Sequence, residues 1–260
     1  MKRYIFIFCI LLQLIVTPLT AAADKPLVFV GDDHFPPYSW EENGEIHGID
    51  ADIMRELGRR LGIQITIQLA PWKRLIHMTR TGQCDGSFSL FHTRDREAFA
   101  LYAFSHPIHI SRFPLFYRQG SGIRFQTVKD LYGKTIGVNR GFAISEAFDA
   151  AVASGKIIVN IENNVDKNIF LTANGRIDGF TNNYDVTLYK LKHIPRLQPL
   201  KDRIVHSEKS ISELRNAYLV LSRRTENIPD KPGMLRRINQ ILEQMAADGV
   251  FRNIHQKYLN

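Results

Sequence analysis

Residues 133–180 read GKTIGVNRGFAISEAFDAAVASGKIIVNIENNVDKNIFLTANGRIDGF. Within this stretch 135–138 is a short apolar run, 145–152 has helical composition, and 157–161 is a second strand-like run. A helix over 165–173, a strand over 177–180 and a helix over 183–191 continue the pattern. Strands alternating with helices predict an α/β fold, with parallel strands covered by helices.

The same alternation extends towards the N-terminus. Leu27-Val28-Phe29-Val30 fits a buried strand, ended by Gly31 and the pair Asp32-Asp33. Ile49, Ile53, Leu57 and Leu61 recur every four residues with Met54 beside them, which places them along one helix face. Asp50 reads as the N-cap of that helix and Gly62 as its stop. Residues 63–67 alternate with period two, and Pro71 opens a second helix carrying Trp72, Leu75, Ile76 and Thr79 before Gly82. Towards the C-terminus, 217–221 reads as a strand. Leu235, Ile238, Ile241, Leu242 and Met245 then mark an amphipathic helix, and 251–258 a last short one.

Composition narrows the class. The 260 residues are 44% hydrophobic and 23% charged, with 17 Gly and 11 Pro, which excludes collagen-like, disordered and coiled-coil chains. Lys2 and Arg3 precede an apolar run to Val16; Pro18 breaks it, and Ala21-Ala22-Ala23 supplies small residues. That order predicts a signal peptide cleaved after Ala23. The run is too short to span a bilayer, which takes about 20 residues, so an uncleaved anchor is disfavoured. An exported product retains Cys84 as its one thiol, expected to be a small buried hydrophobe, and forms no intrachain disulfide.

Two stretches read as joints, 106–112 and 206–212. They divide the chain into a signal peptide (1–23), a first lobe in two pieces (24–110 and 208–260) and an inserted second lobe (111–207). The inserted segment holds 14 bases and 8 acids, whereas the outer lobe holds 18 of each. The whole mature excess of positive charge thus falls on one lobe and could draw an anionic ligand or partner there, although dispersed surface lysines serving only solubility would look the same. The bases are scattered singly and the chain is exported, so nucleic acid is not an expected partner.

A set of short patterns stands in fixed order: Phe35-Pro36-Pro37-Tyr38, Gly48-Ile49-Asp50-Ala51-Asp52, Trp72 with Leu75-Ile76, and Gly82-Gln83-Cys84-Asp85-Gly86. Thr93-Arg94-Asp95-Arg96, Phe104-Ser105-His106-Pro107, Gly133 to Val138, Gly175-Arg176-Ile177-Asp178-Gly179 and Ala247-Asp248-Gly249 follow. Over essentially the whole mature chain this order resembles the bacterial extracellular solute-binding proteins of family 3, the amino-acid-type receptors of ABC importers. The resemblance implies a two-lobe periplasmic binding protein fold of type II, with two parallel-rich sheets flanked by helices and joined by a two-strand hinge. It implies a monomer that closes on a small solute in the periplasm, with an ABC permease or a membrane sensor as its partner and no cofactor or metal.

The resemblance also assigns site residues. Phe35 and Trp72 stand where family members sandwich the solute, and Arg96 where an arginine grips its carboxylate, a role that suits a planar guanidinium fork. Ser89, Phe91, Phe142, Ala143 and Asn183 occupy the remaining ligand-binding positions. Asp32 could read a cationic side chain, and Arg74, beside Trp72, could contact an anion. Each has a plainer reading from the residues alone: Trp72 and Phe35 as core, Arg96 in an ion pair with Asp95 or Glu97, Asp32 as a loop cap.

The departures concern ligand identity. Phe91 stands where amino-acid-binding members place a small hydroxyl residue, and Gly141-Phe142-Ala143-Ile144 has no hydroxyl before Ser145. Asn182-Asn183 replaces the acid that takes the α-ammonium, and an amide cannot neutralise a buried cation. These changes favour an acidic or aromatic solute over a standard α-amino acid. Two further function classes share the fold: a secreted enzyme resembling the cyclohexadienyl dehydratases, for which Asp178 and Glu146 are available acids, and a sensor docking on a membrane receptor. No catalytic residue is assigned.

Overall fold

The computed structural model describes residues 25–140, 142 and 144–259. The predicted signal peptide with its cleavage point, and Ala143, lie outside the described residues.

The first lobe begins with β1 (Leu27–Asp32), followed by a small antiparallel meander of β2 (His34–Phe35), β3 (Ser39–Glu42) and β4 (Glu45–His47). Then come α1 (Ile49–Leu61), β5 (Ile65–Ala70), α2 (Trp72–Thr81), β6 (Gly86–Phe91), α3 (Arg94–Glu97), β7 (Ala100–Tyr102) and β8 (His109–Ser111). The second lobe runs β9 (Pro114–Arg118), β10 (Thr135–Asn139), α4 (Glu146–Ala153), β11 (Ile158–Glu162), α5 (Val165–Ala173), β12 (Gly179–Thr181), α6 (Tyr184–His193) and β13 (Ile204–Ser210). The chain returns through β14 (Arg215–Ser222) and ends in α7 (Lys231–Ala247) and α8 (Val250–Leu259).

Two sheets result. The first is ordered β5-β1-β6-β14-β7, with β8 also pairing β14; the second is ordered β11-β10-β12-β9-β13. β1 pairs parallel with β5 and β6, and β10 with β11 and β12, as the βαβ alternation requires. β14 and β9 run antiparallel to their neighbours and close the parallel part of each sheet.

Helices cover both faces of the first sheet. Ile49, Ile53, Met54, Leu57 and Leu61 of α1 join Ile238, Leu242 and Met245 of α7 over Phe29, Phe88, Leu219 and Leu221. These are the spacings that predicted the two helices. On the other face Leu75 and Met78 of α2 pack with Val30, Leu90, Tyr102 and Val220. Cys84 belongs to that cluster, 3% exposed and within reach of Thr79 and Ser87, and burial pushes its thiol pKa up. A fully buried Leu or Phe contributes about 1.5–3 kcal/mol, so these clusters dominate the stability of the lobe.

One expectation is corrected. Asp50 does not cap α1: the cap position is Gly48, and Asp50 lies in the first turn with its side chain turned inward. Gly48 has φ +127°, and a Cβ there would lie 2.1 Å from the Tyr38 carbonyl oxygen, so the chain needs glycine to enter the helix. The stretches that read as joints contain strand residues: His109–Ser111 within 106–112 pairs with β14, and Ile204–Ser210, which overlaps 206–212, pairs with β9. The β2–β4 meander was not legible, because Trp40 and two glutamates in β3 show no clean alternation.

Candidate functional site

β1, β5 and β6 run in one direction, so their carboxyl ends lie along one edge of the first sheet. Phe35, Trp72 and the Phe91–Arg96 segment follow these three ends. Ligands of open α/β sheets bind outside the carboxyl ends of the strands.

Arg96 is the centre of the arrangement. Its Nη1 donates to the Phe91 carbonyl oxygen at 2.6 Å, and its guanidinium carbon lies 5.2 Å from the centre of the Trp72 ring. Tyr102 Oη donates to the same carbonyl at 3.1 Å. Arg96 thus stands fixed on a strand end and an aromatic face, and no ion pair to Asp95 or Glu97 holds it; Glu97 faces His92 at 2.5 Å. Trp72 and Arg96 line one crevice of about 390 Å³ with Ile76, Thr93, Asp95 and Phe99. A wider crevice of about 740 Å³ lies beside the amino end of β1 and the start of α7, and it contains none of the expected site residues.

A second group surrounds Phe35. This ring is half-buried, 5.0 Å from Tyr38 and 6.1 Å from His109. Tyr38 stacks on His109 with ring centres 3.8 Å apart. His109 Nδ1 lies 2.8 Å from Asp50 Oδ2, and the Ser89 hydroxyl donates to the same oxygen. Ser89, placed by the resemblance against the solute, instead points at Asp50; its backbone has φ +67°, a sparsely populated conformation for serine.

The remaining expected residues are scattered. Asp32 is half-buried, accepts the His34 N–H at 3.0 Å, and has its pKa raised, chiefly by burial. Arg74 is exposed on α2. In the second lobe Phe142, three residues after β10, is 45% exposed. Asn183 caps α6: its Oδ1 accepts the Val186 N–H at 3.1 Å and its Nδ2 donates to Ser111 Oγ at 2.7 Å. Both ends of that amide are engaged.

Sequence reasoning missed three features of this region. An amide chain runs along the carboxyl edge of the second sheet, from Asn160 to Asn168, Asn139 and Asn182, and ends on Thr187. The hydrogen-bonded pair Tyr38–Asp185 joins the lobes. Arg215 lays its guanidinium carbon 4.2 Å from the centre of the Phe91 ring. The density of Asn around the strand ends was a signal for the first; nothing local marks the other two. Asp178 accepts the Thr135 N–H at 2.8 Å and so fixes a strand end, while Glu146 is exposed in the first turn of α4. Among the described residues no cluster of His, Cys, Asp or Glu could hold a metal ion.

Comparison with known proteins agrees with this architecture. The chain is 21% identical over 227 residues to the "Probable amino-acid-binding protein YxeM" of Bacillus subtilis, covering 86% of this chain and 80% of the relative. It is 21% identical over 242 residues to the L-cystine-binding protein TcyJ of Escherichia coli K12, covering 92% and 85%. The substrate-binding protein of an amino acid ABC transporter superposes with a TM-score of 0.66 at 21% identity, over 90% of this chain and 99% of that one. The family model for bacterial extracellular solute-binding proteins, family 3, matches residues 27–260, and the chain belongs to that family.

Proposed function

We propose that the protein captures a small carboxylate-bearing solute between its lobes in the periplasm and delivers it, as a monomer, to an ABC importer. Arg96 is the carboxylate hook, and Trp72, Phe35 and Phe91 are the walls on the first lobe. Phe142 and Asn183 are the solute contacts of the second lobe, with Ala143 assigned by motif order alone; Asp32 and Arg74 are secondary contacts of the first lobe, and Ser89 acts behind the solute by holding Asp50. Residues 24–110 and 208–260 form one lobe and 111–207 the other, after removal of 1–23. The strand order supports that division, since β9 to β13 make one sheet and β14 returns to the other. No described helix is long and apolar enough to cross a membrane.

The observation that carries the reading is the posture of Arg96, stacked on Trp72 at a strand's carboxyl end with one N–H committed to Phe91. A guanidinium has five donors and a bidentate carboxylate needs two. Capture without catalysis is the better reading because Asp178 is occupied by a backbone N–H and neither it nor Glu146 lines the crevice.

Calorimetric titration with amino acids and simple carboxylic acids tests the proposal. Arg96→Ala should weaken the tightest acid about 100-fold or more, the loss of a paired charged hydrogen bond of about 3 kcal/mol. The empty variant should melt within a few degrees of the parent, about 2–4 °C for each kcal/mol lost. Unchanged affinity in Arg96→Ala overturns the hook.

A further inference from the structure

Arg215 has no role in solute capture as described so far. It opens β14 and pairs in register with Ser111, where the chain crosses from one sheet to the other. Its guanidinium lies over the Phe91 ring, while Arg96 holds the Phe91 carbonyl and covers Trp72. One residue therefore carries two guanidinium groups, one on its ring and one on its backbone. Both cations contact Phe91, and burial, then the Arg96 charge, weaken the hold of Arg215 on its proton. Arginine does not relieve such repulsion by deprotonating. An anion reaching both groups takes a charged hydrogen bond from each.

We infer that Arg96 and Arg215 form a two-pronged anion clamp around Phe91, and that the solute preferred here carries two acidic groups, a dicarboxylate whose body lies on Phe91 and Trp72. The acids of the neighbouring network are unsuited to an α-ammonium: Asp50 is held by Ser89 and His109, and Asp185 by Tyr38. The inference rests on the solute-capture reading and names the substrate class of the site built on Arg96.

Matched probes test it: isophthalate against benzoate, glutarate against butyrate, and glutamate against norvaline, titrated calorimetrically at pH 7. The diacid of at least one pair should bind the parent about tenfold or more tighter, the yield of one extra charged hydrogen bond. Arg215→Gln should erase that advantage. Arg215→Lys, which keeps the charge but not the fork, should reduce it and guards against a misfolded glutamine variant. Arg124→Gln, which removes an exposed arginine elsewhere, should preserve it. Equal affinity for diacid and monoacid, or an advantage unchanged in both Arg215 variants, overturns the clamp and leaves solute capture standing. If no acid binds, and the protein takes a solute that Arg96→Ala still holds, the capture reading fails and the clamp with it.

Discussion

Tyr38 donates its phenolic hydrogen to Asp185 Oδ2 at 2.7 Å, although the two residues stand 147 positions apart and belong to different lobes. Tyr38 is fully buried in the Pro-rich loop after β2, stacked on His109, and Asp185 sits in the first turn of α6. Trp40 and Tyr189 touch nearby, with ring centres 5.3 Å apart. Burial, and next the Asp185 charge, push the phenol pKa well above its ordinary value, so the hydroxyl keeps its proton.

Removing that hydroxyl isolates the contact. Tyr38→Phe should lower unfolding stability by about 1–2 kcal/mol, the usual worth of a hydrogen bond to a charged, partly solvated acceptor. Urea titration measures it. The same variant should spend more time open, which small-angle scattering reads as a larger radius of gyration. A variant as stable and as compact as the parent would mean the pair does not hold the lobes together.

Trp72 offers a direct view of the crevice. The chain has two tryptophans, so Trp40→Phe leaves Trp72 as the sole indole. Because Trp72 lies under Arg96 in the crevice, saturation with the tightest-binding acid should reduce its quenching by acrylamide. Quenching that does not change would place the solute elsewhere.

Asp50 should prove the least replaceable acid of the first lobe. It is fully buried, accepts from Ser89 and faces His109 Nδ1, and lies in the first turn of α1, where negative charge is favoured. Asp50→Asn turns an NH2 group towards these two partners and removes the charge. A loss of about 2–4 kcal/mol is expected from breaking a buried charged network, measured by chemical denaturation. A loss under about 0.5 kcal/mol, as at an ordinary surface site, would show that Ser89 and His109 find other partners.

The fold was legible because periodicity is local. Ile49, Ile53, Leu57 and Leu61 show their common face within four turns, and residues 135–180 show their alternation without help from the rest of the chain. Arg96 and Trp72 were legible through motif order, and each lies in one short segment. Tyr38 with Asp185, Asp50 with His109, and Phe91 with Arg215 are pairs separated by 59 to 147 positions, and no window of sequence contains both partners. Ser89 shows the opposite failure. Motif order assigns it to the solute, but a left-handed backbone at φ +67° turns the hydroxyl onto Asp50, which spacing alone does not reveal.

The second lobe carries its own acid sensitivity. Asp166 is largely buried in the first turn of α5; burial raises its pKa, but Arg196 and Lys190, the latter at 3.0 Å, more than offset this and leave it below the ordinary aspartate value. An acid held below its unfolded value stabilises the fold above that unfolded value, about pH 3.9, and the contribution disappears as pH falls through the lowered folded value. The urea midpoint should therefore drop as pH goes from 5 to below about 4. Asp166→Asn should start lower at pH 6, by about 1–3 kcal/mol for a group leaving two bases without their acid, and should then fall less steeply on acidification. Asp52, lowered by its bonds to Lys257 and Tyr258 against the effect of burial, contributes in the same window and keeps some slope in the variant. Parallel midpoint curves for the parent and Asp166→Asn would show that Asp166 binds protons alike in the folded and unfolded chains.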